Sequence, residues 1–329
     1  MVLSRSPFDA SVQRAELLRS PRLGMTKSIT GSCIRDAALQ GANSRLTQTG
    51  TILAPDKPTS HEPDLTHLMP PNALAATDSL IPLPGQAGAA PLAMVVGHAT
   101  RAAHGKSNED FYGLAVPAKI GAAQKGVMVV LADGISANGN GRIASEITAR
   151  SLLADYYATS SDWTIAYALE KLLCAANDWI LAHNRSRSDN YGVVAAASAL
   201  VLCGRRYFIA HVGNTRVYRL RDAAFERLTG DHTWPRRDMR NVLKRAIGLD
   251  THLVLDFVEG ELREGDTFLI VSDGVWDTLG DRKIRPLLDE ADSPQRAADA
   301  LVAAADAIQA TYLGRNDATA VVLSILSAP

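Results

Sequence analysis

Two rhythms of apolar residues run through this chain. Short runs rich in Val, Ile, Leu and Ala, bounded by Gly, Asp and Asn, fall at 92–98, 110–116, 126–132, 195–203, 205–212, 215–220, 252–258, 266–272 and 318–326, and predict strands. Three- and four-residue spacing predicts helices between them. After Ser161 and Asp162, both suited to capping, Ile165, Leu169, Leu172, Ala176, Trp179 and His183 share one helical face, read as a core face. Another helix opens at Ser293 with Pro294 in its first turn and aligns Ala297, Leu301, Ala304, Ile308 and Tyr312; a third begins at Arg142. Strands precede the first helices, and gaps of hairpin length lie near residues 204 and 213, so regular βαβ alternation is absent. The pattern predicts an α+β sandwich of antiparallel sheets packed with helices.

The first ninety residues break both rhythms. "APDKPTSHEPDLTHLMPPNAL" and "IPLPGQAGAAPLA" are rich in Pro, Gly, Ala and Ser without sustained periodicity, a composition that cannot bury enough to fold alone. Residues 1–90 are therefore expected to form a disordered extension, and residues 91–329 a single folded domain. The extension has no apolar core of secretory type, and no apolar run reaches the roughly eighteen residues a membrane helix needs, so no membrane partner is expected. A formal charge of −1, from 34 basic and 35 acidic residues, sets up no global field to attract nucleic acid. Cys33, Cys174 and Cys203 are odd in number and show no CxxC spacing, which suits a reducing, cytoplasmic setting.

Within the folded region, "VMVVLADG" and "TFLIVSDG" end in the same dipeptide. Either alone reads as a turn. Together they place Asp133 and Asp273 at the mouths of buried strands, where a lone charge is costly to desolvate and a hard divalent cation would relieve it. Gly134 and Gly274 leave room for close backbone approach. "SNEDFYG" adds Glu109 and Asp110, which face opposite sides if the strand is regular, with Asp110 expected inward; "GRNDATAVVL" adds Asn316 and Asp317 before the last strand. Acids so distant in sequence suit a two-metal centre that activates water for phosphoryl transfer. Gly213 and Asn214 are expected in the turn of a hairpin over 205–220, and His232 is a minor candidate for proton donation.

In order along the chain, "NEDFYG", "VLADGISANGNGRIAS", "AHVGNTRVYRL", "LTGDHT", "GDTFLIVSDGVWD" and "NDATAVVL" resemble the metal-dependent serine/threonine protein phosphatases of type 2C, particularly bacterial members, over about 94–327. The resemblance implies two central antiparallel β-sheets flanked by helices and two manganese or magnesium ions at one end. It implies that Asp133 bridges both ions, that the Gly134 carbonyl binds one and Asp273 the other, and that Asp110 and Glu109 contribute directly or through water. A metal-bridging water would then attack the phosphorus of phosphoserine or phosphothreonine in proteins phosphorylated by a cognate kinase. Three departures stand out. Asn214 replaces the usual aspartate of a third, weaker metal site. The usual Asp-Asn order is inverted at Asn316-Asp317, leaving a neutral amide at the expected ligand position. In place of the usual phosphate-binding arginine stands Lys106, with Arg101 as the other candidate.

Asn214 and Asn316 motivate an alternative, a pseudophosphatase that binds or regulates phosphoproteins with weakened metal binding. Another reading takes "SANGNGR" as a phosphate cradle ahead of the helix at Arg142, but it lacks the lysine of a P-loop. The histidines show no paired spacing suited to zinc.

Overall fold

A computed structural model of the chain describes residues 27–28, 79–82, 92–117, 125–137, 139–187, 192–235, 239, 242–311 and 316–329. Of the expected N-terminal extension, only two short strands fall among them, β1 (Lys27–Ser28) and β2 (Ser79–Pro82). The remaining strands are β3 (Ala93–Arg101), β4 (Asp110–Ala115), β5 (Val127–Ser136), β6 (Val193–Cys203), β7 (Arg206–Val212), β8 (Arg216–Arg221), β9 (Ala224–Arg227), β10 (Asp256–Glu261), β11 (Thr267–Val271) and β12 (Ala318–Ser327). Helices α1 (Arg142–Asp155) and α2 (Ile165–Ser186) follow β5, while α3 (Asp273–Leu279), α4 (Asp281–Asp289) and α5 (Pro294–Gln309) lie between β11 and β12.

The strands form two antiparallel sheets, ordered β1-β10-β7-β6-β5-β4 and β2-β3-β12-β11-β8-β9. The α+β sandwich expected from the sequence is the architecture found. Strand alternation explains the layers. In β5, Val127, Val129 and Leu131 face the other sheet and pack with Tyr112, Leu200, Ile209, Phe268, Ile270, Val321 and Leu323. The alternate residues Met128, Val130 and Ala132 face outward against Leu152, Leu169, Leu173 and Ile180 of α1 and α2. On the far side, Leu269, Val271, Ala320 and Val322 meet Trp276, Ile284, Leu301 and Val302 of the C-terminal helices. Each large side chain buried this way contributes roughly 1.5–3 kcal/mol, so the three layers of contact hold the sandwich strongly.

Several local expectations need correction. Residues 205–220 are not a hairpin: β7 pairs with β6 and β10, whereas β8 pairs with β11 and β9 in the other sheet. The bend at Gly213 (φ +99°) carries the chain from one sheet to the other, and a Cβ there would lie 2.3 Å from that of Ala196. The strand expected at 252–258 starts instead at Asp256, because Leu253 and Leu255 are recruited to the α1/α2 layer as loop residues. Thr164, rather than Ser161 or Asp162, caps α2, accepting the Tyr167 amide at 3.2 Å. Trp179 is 46% exposed and stacks on His183, since the buried face of α2 is centred on Ala168, Leu169, Leu173, Ala176 and Ile180. Ser293 caps α5 as expected, and Ala297 and Leu301 are buried; Tyr312 lies outside the described residues.

Candidate metal centre

At one end of the sandwich the stripes facing between the sheets change from apolar to polar. Asp133 continues the row Val127, Val129, Leu131 in β5, and Asp110 continues the row of Leu114 and Tyr112 in β4. The two aspartates are direct cross-strand partners. Side chains so paired share a face, with Cβ atoms about 4.5–5.5 Å apart, and like charges there repel. From the opposite sheet, Ser272 and Thr319 close the same end, donating to Asp110 Oδ2 at 2.7 and 2.6 Å. Asp110 Oδ1 is buried with no partner. Neither Asp-Gly pair is a turn. Strand β5 runs through Asp133-Gly134 to Ser136, and Asp273-Gly274 opens α3 behind Ser272. The glycines are needed for backbone packing: a Cβ on Gly134 would lie 2.1 Å from the Gly141 carbonyl oxygen, and one on Gly274 2.1 Å from that of Asp317.

Asp273 is held by two amides. Asn214 Nδ2 donates to its Oδ2 at 3.0 Å and Asn316 Nδ2 to its Oδ1 at 3.0 Å. Burial still pushes its carboxyl up to about 6 against these hydrogen bonds, with Asp277 and Asp317 adding repulsion. Asp133 is raised well above the usual range, first by burial and then by Asp273, Asp110, Asp317 and Glu109. Burial likewise raises Asp110, against the hydrogen bonds from Thr319 and Ser272. A cation would relieve all three.

A cavity of about 290 Å³ opens over these groups, lined among others by Lys106, Glu109, Asp133, Gly134, Asp273 and Asn316. Among the described residues, no three His, Cys, Asp or Glu side chains are already arranged around one point to hold a metal ion. Both Asp273 oxygens are engaged by the two amides. Turning either amide over would present its oxygen instead, and the Asn214 oxygen is buried without a partner. The donor set is all oxygen, anionic, and includes an orphaned buried carboxylate oxygen, which fits magnesium or manganese and not zinc.

The remaining candidates do other work. Glu109 Oε1 accepts from Ser136 Oγ at 2.9 Å and from the Gly141 amide, so the glycine-rich loop ahead of α1 encloses an anion of the protein's own and is no nucleotide cradle. Asp317 lines the same cavity and its charge adds to that of the three aspartates, while its two oxygens accept the amides of Ala103 and Glu109, each at 2.6 Å. Lys106 is exposed at the cavity, whereas Arg101 is paired with Asp306 at 2.5 Å. His232 is buried elsewhere, taking the Gly213 amide at 3.1 Å and facing Asp256 at 3.0 Å. Ser272 and Thr319 went unnoticed in the sequence, although each is a polar residue at the end of an alternating apolar row.

A profile of the protein phosphatase 2C family covers residues 99–309. The chain belongs to the protein phosphatase 2C family. It is 25% identical over 210 residues to the serine/threonine phosphatase Stp of Listeria monocytogenes, spanning 58% of this chain and 82% of that one. The serine/threonine protein phosphatase PstP of Mycobacterium tuberculosis is 26% identical over 173 residues, 48% of this chain and 33% of PstP. Among solved structures, the catalytic domain of PstP in complex with two manganese ions superposes with a TM-score of 0.57 at 23% identity, over 71% of this chain and 100% of that domain. Stp1 of Staphylococcus aureus gives 0.60 at 19% identity, over 70% and 94%. These structural likenesses bear on the fold. As a 2C phosphatase of bacterial type, the chain is a metal-dependent protein serine/threonine phosphatase, and these relatives lend nothing to the pseudophosphatase alternative. Among the described residues, no helix is long and apolar enough to cross a membrane.

Proposed function

We propose that residues 91–329 hydrolyse phosphoserine and phosphothreonine in protein substrates at the cavity over Asp133, using two manganese or magnesium ions. The observation that carries this reading is the direct opposition of Asp110 and Asp133 on neighbouring strands, with Asp273 beside them, all three buried and raised in pKa. Asp133, the Gly134 carbonyl and Asp273 would hold the ions. Asp110, fixed by Ser272 and Thr319, would complete the set directly or through water, and Glu109 would hold the 134–141 loop against it. Such ions supply Lewis acidity and lower the pKa of water at the phosphorus. Lys106 offers the phosphoryl oxygens a point charge at the cavity rim. Asn316 presents an amide where a carboxylate is usual, so the ion beside Asp273 gains less charge than elsewhere in the family.

A serine/threonine kinase that supplies these substrates and a cytoplasmic setting belong to the same proposal, as does an extension over residues 1–90, from which two short strands pair with the edges of the two sheets. The test is hydrolysis of a phosphothreonine peptide by the full chain with manganese. Asp133→Asn is expected to remove it. A wild-type rate no greater than that of the variant would reject the assignment.

A further inference from the structure

One side chain ties both ends of the loop joining β3 to β4. Asp317 Oδ1 accepts the Ala103 amide and Oδ2 the Glu109 amide, each at 2.6 Å. Between those anchors residues 104–107 are exposed, and Gly105 adopts φ +77° in open space. The Lys106 amide closes a turn on the Ala103 carbonyl at 3.0 Å, and Asn108 Nδ2 reaches Thr100 Oγ1 at 2.8 Å. Of the exposed stretch, Lys106 is the residue that lines the cavity together with Asp133, Asp273 and Asn316.

We propose that Asp317 is a positioning residue for phosphate recognition: its carboxylate clamps the 103–109 loop and so sets Lys106 over the cavity. This rests on the phosphatase reading and deepens it. A lysine is a point charge on a flexible stem and lacks the pre-organised fork of arginine, so its aim depends on its backbone more than an arginine's would. Two short bonds from amides to an ionised carboxylate are the strong kind, and they fall on the two ends of the segment that must be held. The inverted Asn316-Asp317 order then acquires a reason. The residue contacting Asp273 is the neutral amide, while the carboxylate next to it holds the loop and adds its charge to the three aspartates through space.

The test compares full-length Asp317→Asn, Lys106→Ala and the double variant. Four quantities are read: KM and kcat on a phosphothreonine peptide, inhibition by inorganic phosphate, manganese binding by calorimetry, and hydrogen exchange of the 103–109 amides in chelator. Lys106→Ala and Asp317→Asn are each expected to raise KM and the phosphate inhibition constant about tenfold, with kcat changed less than about threefold. The double variant is expected to be no worse than Lys106→Ala, because both changes remove one function. Asp317→Asn alone should speed exchange at Ala103 and Glu109 while leaving manganese affinity within about threefold. Loss of manganese binding in Asp317→Asn would make it a ligand and overturn the proposal, as would penalties that multiply in the double variant. If the wild type shows no manganese-dependent turnover, the functional reading fails separately. Direct calorimetry of inorganic phosphate then decides: unchanged affinity in both single variants overturns the clamp, and parallel weakening supports it.

Discussion

Replacing Asp133 by asparagine should stabilise the metal-free protein while removing its activity. Asp133 is buried, opposes Asp110 across β4 and β5, and is pushed up by burial and by four neighbouring acids. At Asp273, beside it, burial likewise outweighs two amide hydrogen bonds and holds the carboxyl at about 6 instead of 3.8. A displacement of that size is about 3 kcal/mol of unfavourable ionisation at neutral pH. An asparagine side chain would keep the shape, carry no charge and lower the repulsion on its neighbours. A gain of about 1–3 kcal/mol is expected, which for a domain of this size raises Tm by roughly 3–8 °C. The assay is thermal unfolding of wild type and Asp133→Asn in chelator and in manganese. In chelator the variant should melt higher; in manganese the order should reverse, because only the wild type gains binding free energy. A variant less stable than wild type in chelator would refute the claim that uncompensated carboxylates strain this end of the sandwich.

The metal-free protein should respond to pH in a matching way. For an aspartate whose folded pKa is raised, the folded state holds its proton longer, so the stability present below the ordinary value near 4 is lost as pH rises to about 6 at Asp273, and Asp110 and Asp133 act in the same direction. Melting in chelator should therefore be higher at pH 5 than at pH 7.5, by about 1 kcal/mol from Asp273 alone, and the increment from manganese should be larger at pH 7.5. Asn316→Asp would exchange a donor to Asp273 for a second carboxylate; manganese affinity measured by calorimetry should rise about tenfold, with a lower Tm in chelator. Gly274→Ala would drive a Cβ to 2.1 Å from the Asp317 carbonyl oxygen, and a loss of about 3 kcal/mol in urea unfolding is expected.

The sandwich was legible because its buried strands are short continuous apolar runs bounded by turn residues. Val127, Val129 and Leu131 against Met128, Val130 and Ala132 divide two apolar layers within one strand, and the sequence shows both sets. Whether the strand at Arg216 returns beside β7 or crosses to the other sheet depends on contacts near Gly213 and Ala196 that no local pattern records. Similarly, the Asp-Gly pairs carry turn chemistry, yet tertiary pairing with Asp110 extends β5 through one of them, and Ser272 starts a helix at the other. The site acids were visible from their positions after apolar runs. Their supports were not: Ser272 and Thr319 meet Asp110 across sequence separations of 162 and 209, and only the folded sheets make them neighbours.

How much charge this end of the sandwich carries is set by two asparagines. Were Asn214 and Asn316 both carboxylates, Asp273 would face two further anions where it now accepts two amide hydrogen bonds. Those hydrogen bonds pull the Asp273 carboxyl down, against the burial that raises it to about 6. The same amides occupy the oxygens a cation must reach, so cation binding here competes with contacts that stabilise the metal-free fold. Carboxylates in these positions would strain the empty site and grip ions more firmly, whereas amides ease the strain and loosen the grip. Asp110 keeps its two hydroxyl donors, Ser272 and Thr319, on one oxygen only, and its other oxygen is buried without a partner beside Asp133, so this is the pair whose repulsion a bound ion relieves most directly.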